Sequence, residues 1–599
     1  MRYFFLCLLT GITSITISAQ TNTYAISFEN AVHHEAVVTA TFTEISTDTL
    51  SLRMSRTSPG RYALHEFAKN IYNLTATDQN GKALKIVRPS PYEWKVLNHD
   101  GQVSIKYTLF ADRADGTYSQ IDETHAHLNI PATFIYAPAL HERNITVDFN
   151  VREDLNWKIA TQLSHIKGNT YGAPDLYYFM DSPTELSNHT TRDFSVDGQT
   201  IKLALHGPGT AEEVNIYFEK IKKIVLAEKE VFGELPKFDF GNYTFLACYT
   251  PNASGDGMEH RNSSVLTSSR TLAKGGMNGN IGTVSHEFFH SWNVERIRPK
   301  TLEPFNFEEA NMSGALWFAE GFTSYYTNLI LCRAGLITPE EYVEGITGTF
   351  NYVWNSPARK FFNPIEMSFQ APFVDAATSV DPVNRENTFI SYYSYGSVLG
   401  LALDLSLREN GLDLDDFMKQ VWKNFGKTET PYAIANLQES LNMYAGEKFG
   451  NDFFNRFIYK SEMPNYDSLL ASVGVTLSQE HTSAYFGAAV SITDDLNGTI
   501  ISNTKIGSPA YQAGLDKEDI ITTINGETFP KGVQFNTFIK EKFKPNDSIS
   551  ITYLRDGSER LTDVVVQSDP KYGINLQEKN GKTPSKKVLK ARKDWLKAE

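Results

Sequence analysis

Cysteine is nearly missing from this chain. Its 599 residues include three, Cys7, Cys248 and Cys332, too few for a disulfide framework or for a Cys-rich zinc or iron–sulfur site. An excess of positive charge is missing as well. Lys and Arg total 56 against 70 Asp and Glu, a net charge of −14, which argues against general binding to nucleic acid or to an anionic membrane. No Gly-X-Y period, heptad array or longer internal repeat runs through the sequence, so fibrous and solenoid classes fall away. Beyond the first twenty residues no segment approaches the ~18 apolar residues of a membrane-spanning helix. What is present is 41% hydrophobic and 12% aromatic content, enough for large cores. The length suggests roughly three or four domains.

The N-terminus pairs one early positive charge, Arg2, with Tyr-Phe-Phe-Leu-Cys-Leu-Leu and small residues ending Ser18-Ala19. That pattern predicts a secretory signal over 1–19 and an exported protein, periplasmic or extracellular once the signal is removed. Thr10, Thr13, Ser14, Thr16 and Ser18 make the segment a poor permanent anchor.

From 20 to 208 strict alternation dominates: Val38, Ala40 and Phe42; Leu50, Leu52 and Met54; Ile145, Val147 and Phe149; Ile201, Leu203 and Leu205. Turn pairs such as Asn80-Gly81 separate these runs, so the region reads as an antiparallel sandwich-like β domain. Between 209 and 475 the period becomes helical, with helices expected at about 211–232, 281–295, 313–334 and 395–409. Alternation returns over 476–570, a compact C-terminal domain. The remaining 571–599 carries Lys582, Lys586, Lys587, Lys590, Arg592, Lys593 and Lys597 and is expected to be a solvated basic tail. The whole is a multidomain α+β protein.

The sharpest motif is Ser285-His286-Glu287-Phe288-Phe289-His290. Residues four apart share a helix face, so His286 and His290 can present imidazoles to one Zn²⁺ with Glu287 beside it. The chain's own composition makes a chance His-Glu-x-x-His a roughly 0.02-fold event. A zinc ion lowers the pKa of a coordinated water to about 7, and Glu287 is placed to take its proton as the water attacks a carbonyl. A third ligand is required. Glu320, in Trp317-Phe318-Ala319-Glu320-Gly321-Phe322, is a carboxylate in an apolar helical pattern and therefore needs a cation. Glu308 and Glu309 are nearer in sequence but lie in a polar, loop-like stretch. Asn293, Arg296 and Arg298 follow the motif and can either orient ligands or cap the helix. His125-x-His127 would sit on one face of a strand and could bind metal, but with no companion ligand evident it is expected to be a pair of surface histidines.

The pairing of HEFFH with a later Trp-Phe-Ala-Glu-Gly-Phe-x-x-Tyr-Tyr resembles the gluzincin metallopeptidases, whose third zinc ligand is a Glu on a second helix. The strings 286–299 and 316–326, together with Ser58-Pro-Gly-Arg-Tyr-Ala-Leu-His-Glu-Phe-Ala-Lys-Asn-Ile71, resemble the glycyl aminopeptidase family specifically. That resemblance implies a thermolysin-like, mainly helical catalytic domain and activity on small N-terminal residues such as Gly and Ala. Gly257-Met258-Glu259 is similar to the exopeptidase motif of aminopeptidase N relatives, in which the Glu binds the substrate ammonium; here His260 follows where those relatives carry Asn. Ser391-Tyr392-Tyr393-Ser394-Tyr395-Gly396 is similar to their Tyr-x-Lys-Gly segment, which makes Tyr393 the candidate oxyanion donor among three tyrosines. Tyr485-Phe486-Gly487-Ala488 and the run from Ile506 to Glu527 look like a PDZ domain, which could hold a peptide C-terminus or serve as a packed structural module.

These residues imply a zinc aminopeptidase with one Zn²⁺, ligands His286, His290 and Glu320, Glu287 as base, Gly257, Met258 and Glu259 at the substrate, and Tyr393 at the oxyanion. Its partners would be peptides with a free N-terminus and a C-terminal peptide on the PDZ domain, with no nucleic acid. Two alternatives remain: a zinc endopeptidase recruiting substrates through its PDZ domain, and a non-catalytic exported adaptor.

Overall fold

The computed structural model describes residues 20–376 and 381–597; the signal segment expected at 1–19 lies outside them. Alternation in the N-terminal region becomes a seven-stranded sheet, in the order Ser164–Lys167, Thr170–Ala173, Asn144–Asn150, Thr21–Ser27, Glu35–Phe42, Val103–Phe110 and Ile71–Thr77. Three-stranded and four-stranded sheets accompany it. The alternating residues Val38, Phe42, Leu50, Leu52, Ile105, Ile145, Val147 and Phe149 are buried together in one core. One pair departs from the antiparallel expectation: Thr21–Ser27 runs parallel to Asn144–Asn150. More than enough chain separates them for the crossover that a parallel pair requires.

The expected boundary at 208 is corrected by the sheet that follows. Thr190–Val196 and Gln199–His206 belong to a five-stranded sheet continuing through Asn242–Tyr249, Ser263–Ser268 and Asp256–His260. Ile201, Leu203 and Leu205 accordingly pack in the catalytic core and not in the β domain. The physical reason is pairing. Gln199–His206 lies parallel to Asn242–Tyr249, and helix Ala211–Phe232 makes the crossover. A Thr210/Glu213 capping box starts that helix and Gly233, at φ 84°, ends it, since a left-handed cap favours glycine.

The helical region packs two motif segments against this sheet. Ile281–Phe289 is shorter than expected and ends with His290 at its C-cap. The second motif divides into Leu316–Ala319 and Gly321–Arg333, and Tyr392–Glu409 lies across it. The crossing is close. A Cβ on Gly396 would stand 1.9 Å from the Trp317 carbonyl oxygen, and one on Gly321 would stand 2.3 Å from the Gly396 Cα, so both positions require glycine.

The C-terminal module has its own core and a sheet in the order Val490–Ile492, Gly498–Ile500, Ile520–Ile524, Ser548–Arg555 and Ser558–Val565. It is bonded to the helical domain. Asn387 reaches the Thr504 carbonyl at 2.9 Å and accepts from the Ile506 amide at 2.7 Å. Asn351 exchanges two 2.8 Å hydrogen bonds with the Tyr572 backbone.

The solvated tail expected beyond 570 is overturned. Tyr572–Leu576 pairs with Val475–Gln479, and Lys586–Leu596 is a helix with Trp595 and Leu596 buried in the catalytic core. Its lysines face water, while Lys597 joins Arg333 on the buried Asp415 carboxylate, each at 2.8 Å. The apolar payload of Trp595, hidden in the sequence by the surrounding charge, outweighs the basic composition. Among the described residues no helix is long and apolar enough to cross a membrane.

Replacing Trp595 with Ala should cost about 3–5 kcal/mol in urea unfolding of the full chain; an unshifted transition would return the helix to the solvent. Burial raises the Asp415 pKa, but Arg333 and Lys597 outweigh it and hold the carboxyl well below its ordinary value. This pairing stabilises the fold above the unfolded pKa of about 3.9 and is lost as pH falls through the folded one. Acid titration should therefore shed more stability from the native chain than from Asp415→Asn.

Candidate active site

The site forms where the edge strand Asp256–His260, helix Ile281–Phe289 and the start of helix Gly321–Arg333 converge. His286, His290 and Glu320 each bring one ligand atom to within 4.8 Å of the others. The tautomers follow from the hydrogen bonds. Thr327 Oγ1 donates to the Thr323 carbonyl at 2.9 Å and lies 3.1 Å from His286 Nδ1, so that ring nitrogen is the donor. His290 Nδ1 lies 2.6 Å from the Asn293 carbonyl, which can only accept. Both Nε2 lone pairs therefore turn toward Glu320 Oε2, at 3.7 Å from His286 and 3.2 Å from His290. That buried oxygen accepts no hydrogen bond. Three electron-pair donors facing one point, with both Nδ1 atoms anchored from behind, fit a divalent cation of the zinc class.

Asn293 serves this arrangement twice. Its carbonyl orients His290, and its side chain donates to the Phe318 and Ala319 carbonyls at 3.1 Å each. The next residue, Val294, sits at φ 144°, a strained conformation for a β-branched residue. This turn stops the helix short and brings the Asn293 carbonyl beneath His290. Arg296 and Arg298 act structurally. Arg296 is buried and bonded to the Ser291, Arg261 and Lys237 carbonyls, and Arg298 pairs with Glu303. Glu308 pairs with Arg53 at 2.9 Å.

Glu259 and Glu287 stand with His290 in a second group whose ligand atoms lie within 4.8 Å of one another. Glu287 fits only because residue 257 is glycine: a Cβ there would fall 2.1 Å from Glu287 Oε1. Burial, followed by the neighbouring carboxylates, pushes the pKa of Glu287 well above its ordinary value and that of Glu259 upward. Glu320 behaves oppositely: burial opposes its ionisation, but without a metal a protonated His290, then His286, lowers its pKa by supplying the positive charge that a cation would bring. Met258 turns to the far side of the strand and is buried against Ala204, Leu246 and Val265. His260 Nδ1 bonds Asp181 at 2.8 Å.

Of the three tyrosines, Tyr393 has its ring centroid 5.9 Å from that of His286. Tyr392 packs on Tyr62 and Tyr393, and Tyr395 is buried. Two clefts meet at His286. One, of about 290 Å³, is lined by Tyr393, Ser324 and Tyr342; the other, of about 570 Å³, by Gly257, Thr283 and Glu287.

The motifs did not assign a role to Tyr62. Its hydroxyl donates to Glu320 Oε1 at 2.5 Å, so the N-terminal domain supplies a positioning residue to the metal group. The only signal was its place in the family string 58–71. The same loop packs on the edge strand, with a Cβ on Gly60 falling 2.2 Å from Met258 Sδ and 3.0 Å from Glu259 Oε2. Arg61 pairs with Asp256 beside it.

The surface-histidine expectation for His125 and His127 is also overturned. Both are buried, and Glu185 lies 3.3 Å from His125 and 3.2 Å from His127. Strand pairing between His125–Leu128 and Thr184–Ser187 brings in a carboxylate about sixty residues away, which spacing along the chain could not reveal. Cys248 and Cys332 are both buried and free.

Family models match at three places: the Peptidase M61 N-terminal domain over 23–188, the M61 glycyl aminopeptidase over 279–399 and a PDZ domain over 472–566. The chain thus carries both domains of the M61 glycyl aminopeptidases, followed by a PDZ domain. It is a metallopeptidase with an N-terminal β-rich domain, a helical catalytic region and a C-terminal PDZ domain. Its fold is similar to the crystal structure of an aminopeptidase N family protein from Idiomarina loihiensis, with a TM-score of 0.83, 24% identity, and coverage of 96% of this chain and 100% of that one. An M1 zinc metallopeptidase from Deinococcus radiodurans, solved as a mutant bound to Tyr-Ser-Ala substrate, aligns more loosely (TM-score 0.45, 12% identity, 74% of this chain and 95% of that one). No curated protein sequence matches the chain.

Replacing Tyr62 with Phe should weaken zinc binding by about tenfold or more, in keeping with the loss of an outer partner, when measured by competition with a chelator. Unchanged affinity would reduce Tyr62 to a packing residue.

Proposed function

We propose that this M61 metallopeptidase is a single-zinc aminopeptidase that removes small N-terminal residues, glycine and alanine first, from peptides with a free amine. The observation that carries the reading is a buried carboxylate set beside the metal group. The buried Glu259 carboxylate lies within 4.8 Å of the Glu287 and His290 ligand atoms, and Gly60 of the N-terminal domain packs directly on it. A peptide lying along the edge strand would bring its ammonium group to this carboxylate, which supports cleavage one residue in.

When held by His286, His290 and Glu320, zinc supplies Lewis-acid polarisation of the scissile carbonyl and a water pKa near 7. Glu259 pairs with the substrate ammonium, a cation that offsets the cost of burying its charge. Glu287 takes one proton from the attacking water and delivers it to the leaving nitrogen as the C–N bond breaks. Its raised proton affinity suits it to both steps. The Tyr393 hydroxyl donates to the developing oxyanion, a contact worth a few kcal/mol. The charged N-terminus and small residues before Ala19 support export to the periplasm or beyond.

The PDZ domain favours one further element. Val490–Ile492 is an edge strand, paired on one side with Gly498–Ile500, and its other edge is suited to adding an extended peptide. Recruitment of protein substrates through that groove is the endopeptidase reading.

Two assays test the proposal. Ala- and Gly-initiated peptides should be cleaved while their N-acetylated twins are not; internal cleavage of blocked peptides would establish the endopeptidase, and no cleavage by zinc-loaded protein would favour the adaptor. Glu287→Gln should retain zinc by elemental analysis and lose at least about 100-fold in kcat, whereas normal turnover would remove Glu287 from the mechanism.

A further inference from the structure

A second set of metal-ligating side chains lies at the seam between the N-terminal domain and the catalytic sheet, sharing no residue with the peptidase site. His125 and Glu185 come from paired strands of the N-terminal domain. His206 and Cys248 are register partners on two parallel strands of the catalytic sheet, so their side chains leave the same face. His125, Glu185 and His206 each offer a ligand atom within 4.8 Å of the others. Cys248 Sγ lies 3.9 Å from His125 Nδ1, and Glu185 Oε1 lies 3.3 Å from the same nitrogen; the sulfur stands outside the 4.8 Å group and has to move inward to join it.

Hydrogen bonding determines what His125 presents. Gln120 donates through Nε2 to Asp112 at 3.3 Å, which turns its Oε1 toward His125 Nε2 at 3.1 Å. That ring nitrogen therefore carries the proton in the neutral imidazole, and the Nδ1 lone pair faces a carboxylate oxygen and a thiol. The same logic holds at the peptidase site, where each Nδ1 is anchored and each Nε2 lone pair faces Glu320. Tetrahedral zinc bonds of ~2.0–2.1 Å to N and O and ~2.3 Å to S separate neighbouring ligand atoms by roughly 3.3–3.6 Å, close to the two separations on His125 Nδ1. His206 is the adjustable member. Its ring stacks on His125 at 4.5 Å and 21° and must swing its edge inward to ligate. It is half-buried, its side chain is held by one weak polar contact of 3.4 Å to Thr124 Oγ1 among the described residues, and it borders a cleft of about 490 Å³ whose wall includes the buried His125. That cleft is both the room for the swing and the entry path.

We propose that His125, Glu185, His206 and Cys248 form a second, structural site for a zinc-class divalent cation, which ties the N-terminal domain to the catalytic sheet. Four protein donors leave no open position, so the cation would be structural rather than catalytic. Binding would displace the Cys248 thiol proton to solvent, as thiolate ligation requires.

The test uses the full chain with its peptidase site disabled by His286→Ala and His290→Ala, titrated with Co²⁺ alone. One equivalent should bind by equilibrium dialysis and give a near-ultraviolet thiolate-to-cobalt charge-transfer band. Adding Cys248→Ser should abolish the band, and adding His206→Gln, at the half-buried position, should weaken binding at least about tenfold. Absence of bound cobalt in a chain folded by circular dichroism would overturn the site and leave a proton-bridged His–Glu cluster. Bound cobalt indifferent to both added substitutions would overturn it equally.

Discussion

The arrangement of the whole molecule depends on buried negative charge. Glu259, Glu287 and Glu320 are all buried around His286 and His290, where desolvation and mutual repulsion make ionised carboxylates costly. Such a cluster is stable only if cations are supplied, and its geometry calls for two kinds. Glu320 with the two imidazoles suits a metal ion, while Glu259, on the edge strand beside Glu287, suits an ammonium group. Glu287 lies between them with its proton affinity raised, which is the property a group moving a proton between water and amine requires. The chemistry proposed for the enzyme is thus the way its electrostatics are satisfied.

Holding that charge in place takes more than the catalytic domain. The backbone turn at Asn293 and Val294 orients His290, Thr327 orients His286, and Tyr62 reaches from the N-terminal domain to orient Glu320. The N-terminal domain therefore contributes directly to this group, through the Tyr62 hydroxyl on Glu320. A second contact across the same seam, around Glu185, joins strands of the two domains through buried polar side chains.

The C-terminal region is integrated in a different way. The PDZ domain folds on its own core and is held by amide-to-backbone pairs from Asn351 and Asn387. The chain then returns to the catalytic domain, where Tyr572–Leu576 forms a strand pair and Trp595 closes the core. Entry and exit of the PDZ module are consequently fixed to the same body. A peptide held in its groove would be tethered at a set position relative to the helical domain.

Much of this was legible in the sequence because the determining periods are local. Two histidines four apart must share a helix face, and alternation in Val38, Ala40 and Phe42 must give a strand with one buried face. The grouping of His286, His290 and Glu320, the carboxylates Glu287 and Glu259 beside it and the PDZ module could all be anticipated from short strings. What escaped had its partners far away in the chain. The strands at 190–206 alternate as the preceding ones do, and only pairing with 242–249 assigns them to the catalytic sheet. The lysine-rich terminus looks solvated until Trp595 is seen inside the core. His125 and His127 look like surface residues until Glu185 and Cys248 arrive from other strands, and Tyr62 has no visible role until a second domain docks. The sequence by itself determined the local periodicities, the chemistry of the metal motif and the classes of its domains. Tertiary structure alone decided which charges meet across the domain seam and how deep the substrate cleft runs, because burial and pairing energies depend on distances between segments that no linear spacing encodes.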